Sequence, residues 1–144
     1  MNLGMPNSIS NEGGYDSLEI ENIWQQAVKP DPYLLVSEWA DKYRLLSPKS
    51  AAEPGRWRTA RTPYLRDIMD HLAPSSPVQR IVFMKGSQVG GTECGNNWIG
   101  YVIHAAPGPM MAVAPTVELA KRHSKQRIDP LLNDVPELRE KVRP

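Results

Sequence analysis

Between residues 80 and 106 an apolar run gives way to a glycine-rich loop and then to a helical pattern, and that order constrains the chain more than anything else in it. Arg80-Ile81-Val82-Phe83-Met84 is short, continuous and rich in strand formers, which suits a buried strand of a parallel sheet. Lys85 to Gly91 is the loop. From Thr92 to Ala106, Cys94, Trp98, Tyr101, Val102 and Ala105 recur at helical spacing. Pro107-Gly108-Pro109 stops that helix, and Met110 to Ala114 forms a second apolar strand. Thr116 is placed to cap a further helix. It runs to about Ile128, where Asp129-Pro130 ends it, because the residue before a proline avoids the helical region. Strand, loop, helix, strand, helix predicts an α/β fold.

The loop itself reads Lys85-Gly86-Ser87-Gln88-Val89-Gly90-Gly91-Thr92. The common phosphate loop is G-x-x-x-x-G-K-[ST] between a strand and a helix. Aligning Thr92 with the final hydroxyl puts Gly91 in the lysine slot and Lys85 in the slot of the first glycine. The lysine has moved to the other end. The chemistry tolerates this, since glycines let backbone N–H groups turn toward phosphate oxygens and the helix start points its positive end at them. A lysine carries a compact charge on a flexible stem, so Lys85 can reach back over the phosphates. Thr92 keeps its place as a ligand for a phosphate-bound magnesium ion. A plain glycine turn with Lys85 in solvent fits the loop taken alone; the strand before it and the helix after it favour the phosphate reading.

Upstream, residues 1–16 are rich in Asn, Gly and Ser and read as a disordered arm. Residues 17–78 read as a helical segment. One helix spans Leu18 to Val28, with Ile20, Ile23, Trp24 and Ala27 on one face. A second spans Ser37 to Leu46, with Trp39, Ala40, Tyr43 and Leu46 as its stripe. After a linker over 47–62, a third spans Tyr64 to about Leu72, turning Leu65, Ile68, Met69 and Leu72 inward. Residues 79–144 hold the strand–loop–helix unit. Charge is uneven: residues 1–38 carry six acids and one base, residues 39–144 ten acids and sixteen bases. An acidic arm on a basic body suits contact with phosphates, and equally suits ordinary solvated charge. One cysteine and three histidines exclude a disulfide framework and zinc-ligand spacing. No apolar run reaches membrane-spanning length and no secretory signal is evident, so the cytoplasm is the expected compartment.

Several motifs in order resemble the lambda-type phage terminase large subunits. Lys85 to Glu93 looks like their variant Walker A loop, which also places the lysine early. Gly95-Asn96-Asn97-Trp98-Ile99-Gly100-Tyr101, Ala114-Pro115-Thr116, Ala120-Lys121-Arg122 and Arg127-Ile128-Asp129-Pro130 continue the match. Upstream, Ser37-Glu38-Trp39-Ala40-Asp41, Pro54-Gly55-Arg56-Trp57-Arg58 and Arg61-Thr62-Pro63-Tyr64-Leu65-Arg66 look like the same family. The resemblance covers residues 30–132. It implies part of a P-loop NTPase sheet of the ASCE type fronted by a small helical segment, with ATP and Mg2+ as cofactors. The family's activities are ATP-driven packaging of viral double-stranded DNA and endonuclease cleavage of concatemers. Its partners are a small terminase subunit and the portal of the procapsid, in the cytoplasm of the host cell. Neither Met110–Ala114 nor Leu131-Leu132-Asn133-Asp134 qualifies as a Walker B strand, and no acidic cluster builds a two-metal nuclease. The expectation is therefore a truncated ATPase domain without its nuclease. In the family's fold the two strands here are separated by strands from later in the chain, so these two should either pair directly or leave a gap.

The resemblance also proposes Trp57 and Tyr64 as adenine-stacking rings and Lys121, Arg122 and Lys125, on one helix face, as contacts to DNA phosphates. Each has a structural alternative: the rings can pack the N-terminal helices, and the basic face can be merely solvated. Arg58 and Arg61 can contact phosphate or DNA, and Glu93 a magnesium-bound water; solvated surface and a favourable helix N-terminus explain them as well. Two other functions compete. A small P-loop nucleotide kinase needs its own Walker B and an arginine-rich lid, and neither is evident. A catalytically inactive prophage remnant, or an interaction module binding a small terminase subunit through the acidic arm, needs neither.

Overall fold

The computed structural model describes residues 17–28, 33–48 and 53–142. The arm expected over residues 1–16 lies outside them. One helix, α1 (Ser17–Val28), stands in a unit of its own, and the remaining described residues form a second unit from residue 32 onward. In α1 the predicted apolar face is exposed at Ile20, Ile23 and Trp24.

The second unit is helical. Helix α2 (Val36–Tyr43) begins where Glu38 reaches back to accept the Leu35 N–H at 2.9 Å, and where Asp70 accepts the Ser37 N–H at 3.1 Å. It stops three residues before the predicted Leu46. Arg44 is extended, and Leu45–Leu46 instead forms strand β1, paired antiparallel with β2 (Gly55–Arg56). This ladder lies partly in what the sequence suggested was a linker. Two 3-10 turns, Thr59–Arg61 and Pro63–Leu65, lead into α3 (Arg66–Asp70). Leu65 and Met69 are fully buried there, as predicted.

Helix α4 (Gly91–His104) is the centre of the unit, with α2, α3, α6 and α7 against it. It presents Cys94 and Tyr101 to a core completed by Val36, Trp39, Leu65, Met69, Leu131, Val135 and Leu138. Burial pushes the Cys94 thiol up to about 11, so this side chain behaves as a small apolar group. The Trp39 ring lies directly over Gly100, where any Cβ would overlap it, and its indole N–H donates to His104 Nδ1 at 2.9 Å.

Thr116 caps the next helix as predicted, its hydroxyl accepting the Leu119 N–H at 3.2 Å. That helix does not end at Asp129-Pro130. Helix α5 (Val117–His123) runs through a π turn (Ser124–Ile128) into α6 (Asp129–Asp134), and α7 (Pro136–Lys141) follows. Pro130 comes just after the π turn, at the place where the ordinary helical ladder is already interrupted, so the run continues past it.

The α/β expectation needs its main correction here. Neither Arg80–Met84 nor Met110–Ala114 is in a sheet, and β1–β2 is the only pairing among the described residues. Neither run is helical. The first run keeps a two-residue alternation, with Ile81 and Phe83 half-buried and Val82 and Met84 exposed; in the second, Met111, Ala112 and Val113 are all exposed between half-buried Met110 and Ala114. Facing Met110 and Ala112, the residues Ile99, Val102, Ile103 and Ile128 line an apolar hollow of about 430 Å3. The two runs do not pair with each other. A strand needs a neighbour to satisfy its N–H and C=O groups, and neither run has one.

Candidate functional site

The glycine loop lines a cleft of about 720 Å3 at the start of α4, within the size range of small-molecule sites. Its backbone explains the composition. Gln88 has φ +55° and Gly90 φ +77°, both left-handed. Gly90 is the N-cap of α4 and brings no side chain to cap it. The first helical bond runs from the Cys94 N–H to the Gly90 carbonyl, so the N–H groups of Gly91, Thr92 and Glu93 precede any intrahelical partner. Three donors and the positive end of a 14-residue helix thus stand at the cleft.

Lys85 and Gly91 fit one another. A Cβ on Gly91 would meet Lys85 Cδ and Cε at 2.5 Å, so the lysine stem lies over the glycine. The lysine predicted to have moved along the loop has folded back onto the position it vacated. Lys85 is exposed, and its ammonium makes only a long contact, 3.4 Å, to the Gly86 carbonyl. Thr92 is exposed on the same cleft; Gln88, Val89 and Gly90 line it too, while Gly86 and Ser87 lie exposed just outside.

The two adenine candidates part company. Tyr64 is half-exposed at the cleft and donates its hydroxyl to the Val89 carbonyl at 3.1 Å, between the two left-handed residues. Trp57 is buried elsewhere, its indole N–H donating to Thr59 Oγ1 at 3.1 Å, beside a separate small hollow that also takes Arg58. Trp57 does not line the loop's cleft. Arg61 does line the cleft, paired with Glu53. Lys121, Arg122 and Lys125 are all exposed, on α5 and the π turn.

Sequence reasoning missed the charged centre of this cleft. Glu93 is held between two arginines: Oε2 receives Arg44 Nη2 at 2.9 Å and Oε1 receives Arg127 Nη1 at 3.2 Å. Arg44 is 3% exposed and also donates to Asn97 Oδ1 at 3.2 Å and to the Leu45 carbonyl. Burial pushes its guanidinium below the ordinary value, and Glu93 opposes that shift. Arg127 is 37% exposed and lines the cleft with Glu93. Glu93 is therefore not a bare helix-start acid: both its oxygens are engaged by arginines at the cleft. One signal was available: an acid directly after a phosphate-loop threonine opposes anion binding unless cations neutralise it.

Among the described residues no group of three His, Cys, Asp or Glu side chains gathers as a metal site, and no helix is long and apolar enough to cross a membrane.

Residues 51–144 match the family described as phage terminase large subunit gpA, ATPase domain. The chain is also similar to the terminase large subunit of Enterobacteria phage P21, with 27% identity over 107 residues. That alignment takes in 74% of this chain and 16% of the relative, so the chain spans about a sixth of the relative's length. No solved structure matches the chain. The matched stretch is well over half the chain and contains the loop, α4 and the cleft: the chain belongs to the phage terminase large subunit family, at its ATPase domain.

Proposed function

We propose that this chain is the ATP-binding front portion of a DNA-packaging motor, with the phosphates seated at the start of α4. One observation carries the reading: the Lys85 stem lies over Gly91, which delivers its charge to the glycine loop from the opposite end to the common arrangement. Ser87 to Gly91 and the first N–H groups of α4 hold the phosphate oxygens, and Lys85 neutralises them. Thr92 offers a hydroxyl to magnesium. A single hydroxyl fits that ion, which keeps its waters and takes phosphate oxygens rather than an all-protein cage. Tyr64 sets the edge of the base site.

In the full-length protein, runs 80–84 and 110–114 become strands of a P-loop sheet. Lys121, Arg122 and Lys125 face the phosphates of double-stranded viral DNA, and the acidic N-terminal region and the motor body meet a small terminase subunit and the procapsid portal in the host cytoplasm. The support is the family match together with the exposure of that basic face.

Titration of the chain with MgATP tests the nucleotide site. Lys85→Ala should weaken binding at least about tenfold, the scale of one charge-assisted phosphate contact. Undiminished affinity in that variant would place the phosphates elsewhere.

A further inference from the structure

We propose that Arg127 responds to nucleotide: it leaves Glu93 for the phosphates when the cleft fills, and moves the π turn that carries it. The proposal rests on the ATP-binding reading above and adds a regulatory residue to that site.

The two arginines on Glu93 are unequal. Arg44 is buried and tied to Asn97 and the Leu45 carbonyl as well as to Glu93. Arg127 reaches Glu93 from the cleft side and is 37% exposed. Withdrawing Arg127 leaves the carboxylate still paired with Arg44, at 2.9 Å, with the more distant Asp134 adding its attraction to Arg44. The exchange therefore does not leave Glu93 as an unpaired buried carboxylate, the usual barrier to breaking such a pair. The incoming partner is stronger. A phosphate chain seated over Gly91 and Thr92 carries more negative charge than one carboxylate, and its oxygens match the planar fork of a guanidinium.

Arg127 also sits where movement is cheap. It belongs to the π turn Ser124–Ile128, a wide and uncommon helical geometry that a one-residue shift in hydrogen bonding converts to ordinary α-helix. On one side of the turn α6 is anchored by fully buried Leu131. On the other side α5 buries no residue and is tied to α4 at its last residue, His123, whose Nε2 lies 3.1 Å from Asn96 Oδ1. A pull on Arg127 is thus taken up by α5, the element that bears Lys121 and Arg122.

The test is calorimetric titration with MgATP and with pyrophosphate, alongside hydrogen exchange over residues 117–128 with and without MgATP. In the wild type, MgATP should change exchange at 124–128. Arg127→Ala, folded by circular dichroism, should bind both probes about tenfold more weakly and lose that exchange response. Arg127→Lys, which keeps the charge and the stem, should fall between the two and guards against a folding defect in the alanine variant. Wild-type affinity in both variants, or exchange at 124–128 indifferent to nucleotide, overturns the role of Arg127 while leaving the ATP site standing. A wild-type chain that binds neither probe overturns both.

Discussion

Gly91 and Lys85 share one small volume, and this makes a substitution at residue 91 informative. Gly91 opens α4, where alanine is the better helix former by about 1 kcal/mol. The Cβ it adds would press on the flexible Lys85 stem, which can swing away, and would stand 3.2 Å from Phe83 Cε1, so the half-buried ring must give by a few tenths of an ångström. Gly91→Ala should therefore raise or hold the urea midpoint while weakening MgATP binding severalfold; loss of both together would mean the glycine serves the fold rather than the lysine. The loop was legible because its chemistry is local: eight consecutive residues carry the glycines, the lysine and the hydroxyl. The clamp on Glu93 was not. Arg44 lies 49 residues and Arg127 34 residues from Glu93 in sequence, and neither differs on paper from a solvated surface charge. Of the two alternatives open for Trp57, stacking on a base or packing, the structure places it in packing. An aromatic ring just upstream of the loop can face either way, and packing against Thr59 decides it.

At the scale of elements, the crossing of α2 on α4 depends on one missing side chain. The Trp39 ring fills the space beside Gly100, and its N–H meets His104 one turn on. Gly100→Ala should destabilise the chain by about 2 kcal/mol despite the better helix propensity of alanine, since overpacking a rigid ring typically costs 1–3 kcal/mol. Chemical denaturation checks this; a midpoint unchanged from wild type would show that the indole simply shifts. Periodicity located α3, α4 and the buried faces of α2 well, because a helix's apolar stripe is a property of its own sequence. Element ends were less legible. Leu46 continues the α2 stripe but is claimed by the ladder to Gly55, and Pro130 reads as a stop unless the π turn ahead of it is known.

For the molecule as a whole, runs 80–84 and 110–114 set its behaviour in solution. Composition made them read as buried strands, yet strand formation belongs to a pair of segments and not to one. Val82, Met84, Met111 and Val113 are each more than four-fifths exposed, which marks an adhesive surface. Val82→Lys with Met111→Lys should raise the concentration at which the isolated chain stays monomeric, with little change in its thermal midpoint, because neither side chain contributes to the core. Light scattering and calorimetry on the same samples read both quantities. A large drop in the midpoint would show that these side chains are buried after all. Amide exchange at 80–84 and 110–114 should be fast in the same preparations, and strong protection in a monomer would carry the same message.

The fit of Lys85 over Gly91 also limits how such a loop can change over generations. A lysine at residue 91 would bring its first carbons against the stem of Lys85, so the early lysine would have to swing off its seat to make room. Passing from one loop type to the other by single changes means traversing an intermediate with either two colliding lysines or none. In the first the early lysine is displaced from its seat by the new side chain, and in the second no lysine reaches the loop. On the phosphate-binding reading proposed above, glycine at residue 91 is what keeps room for the early lysine.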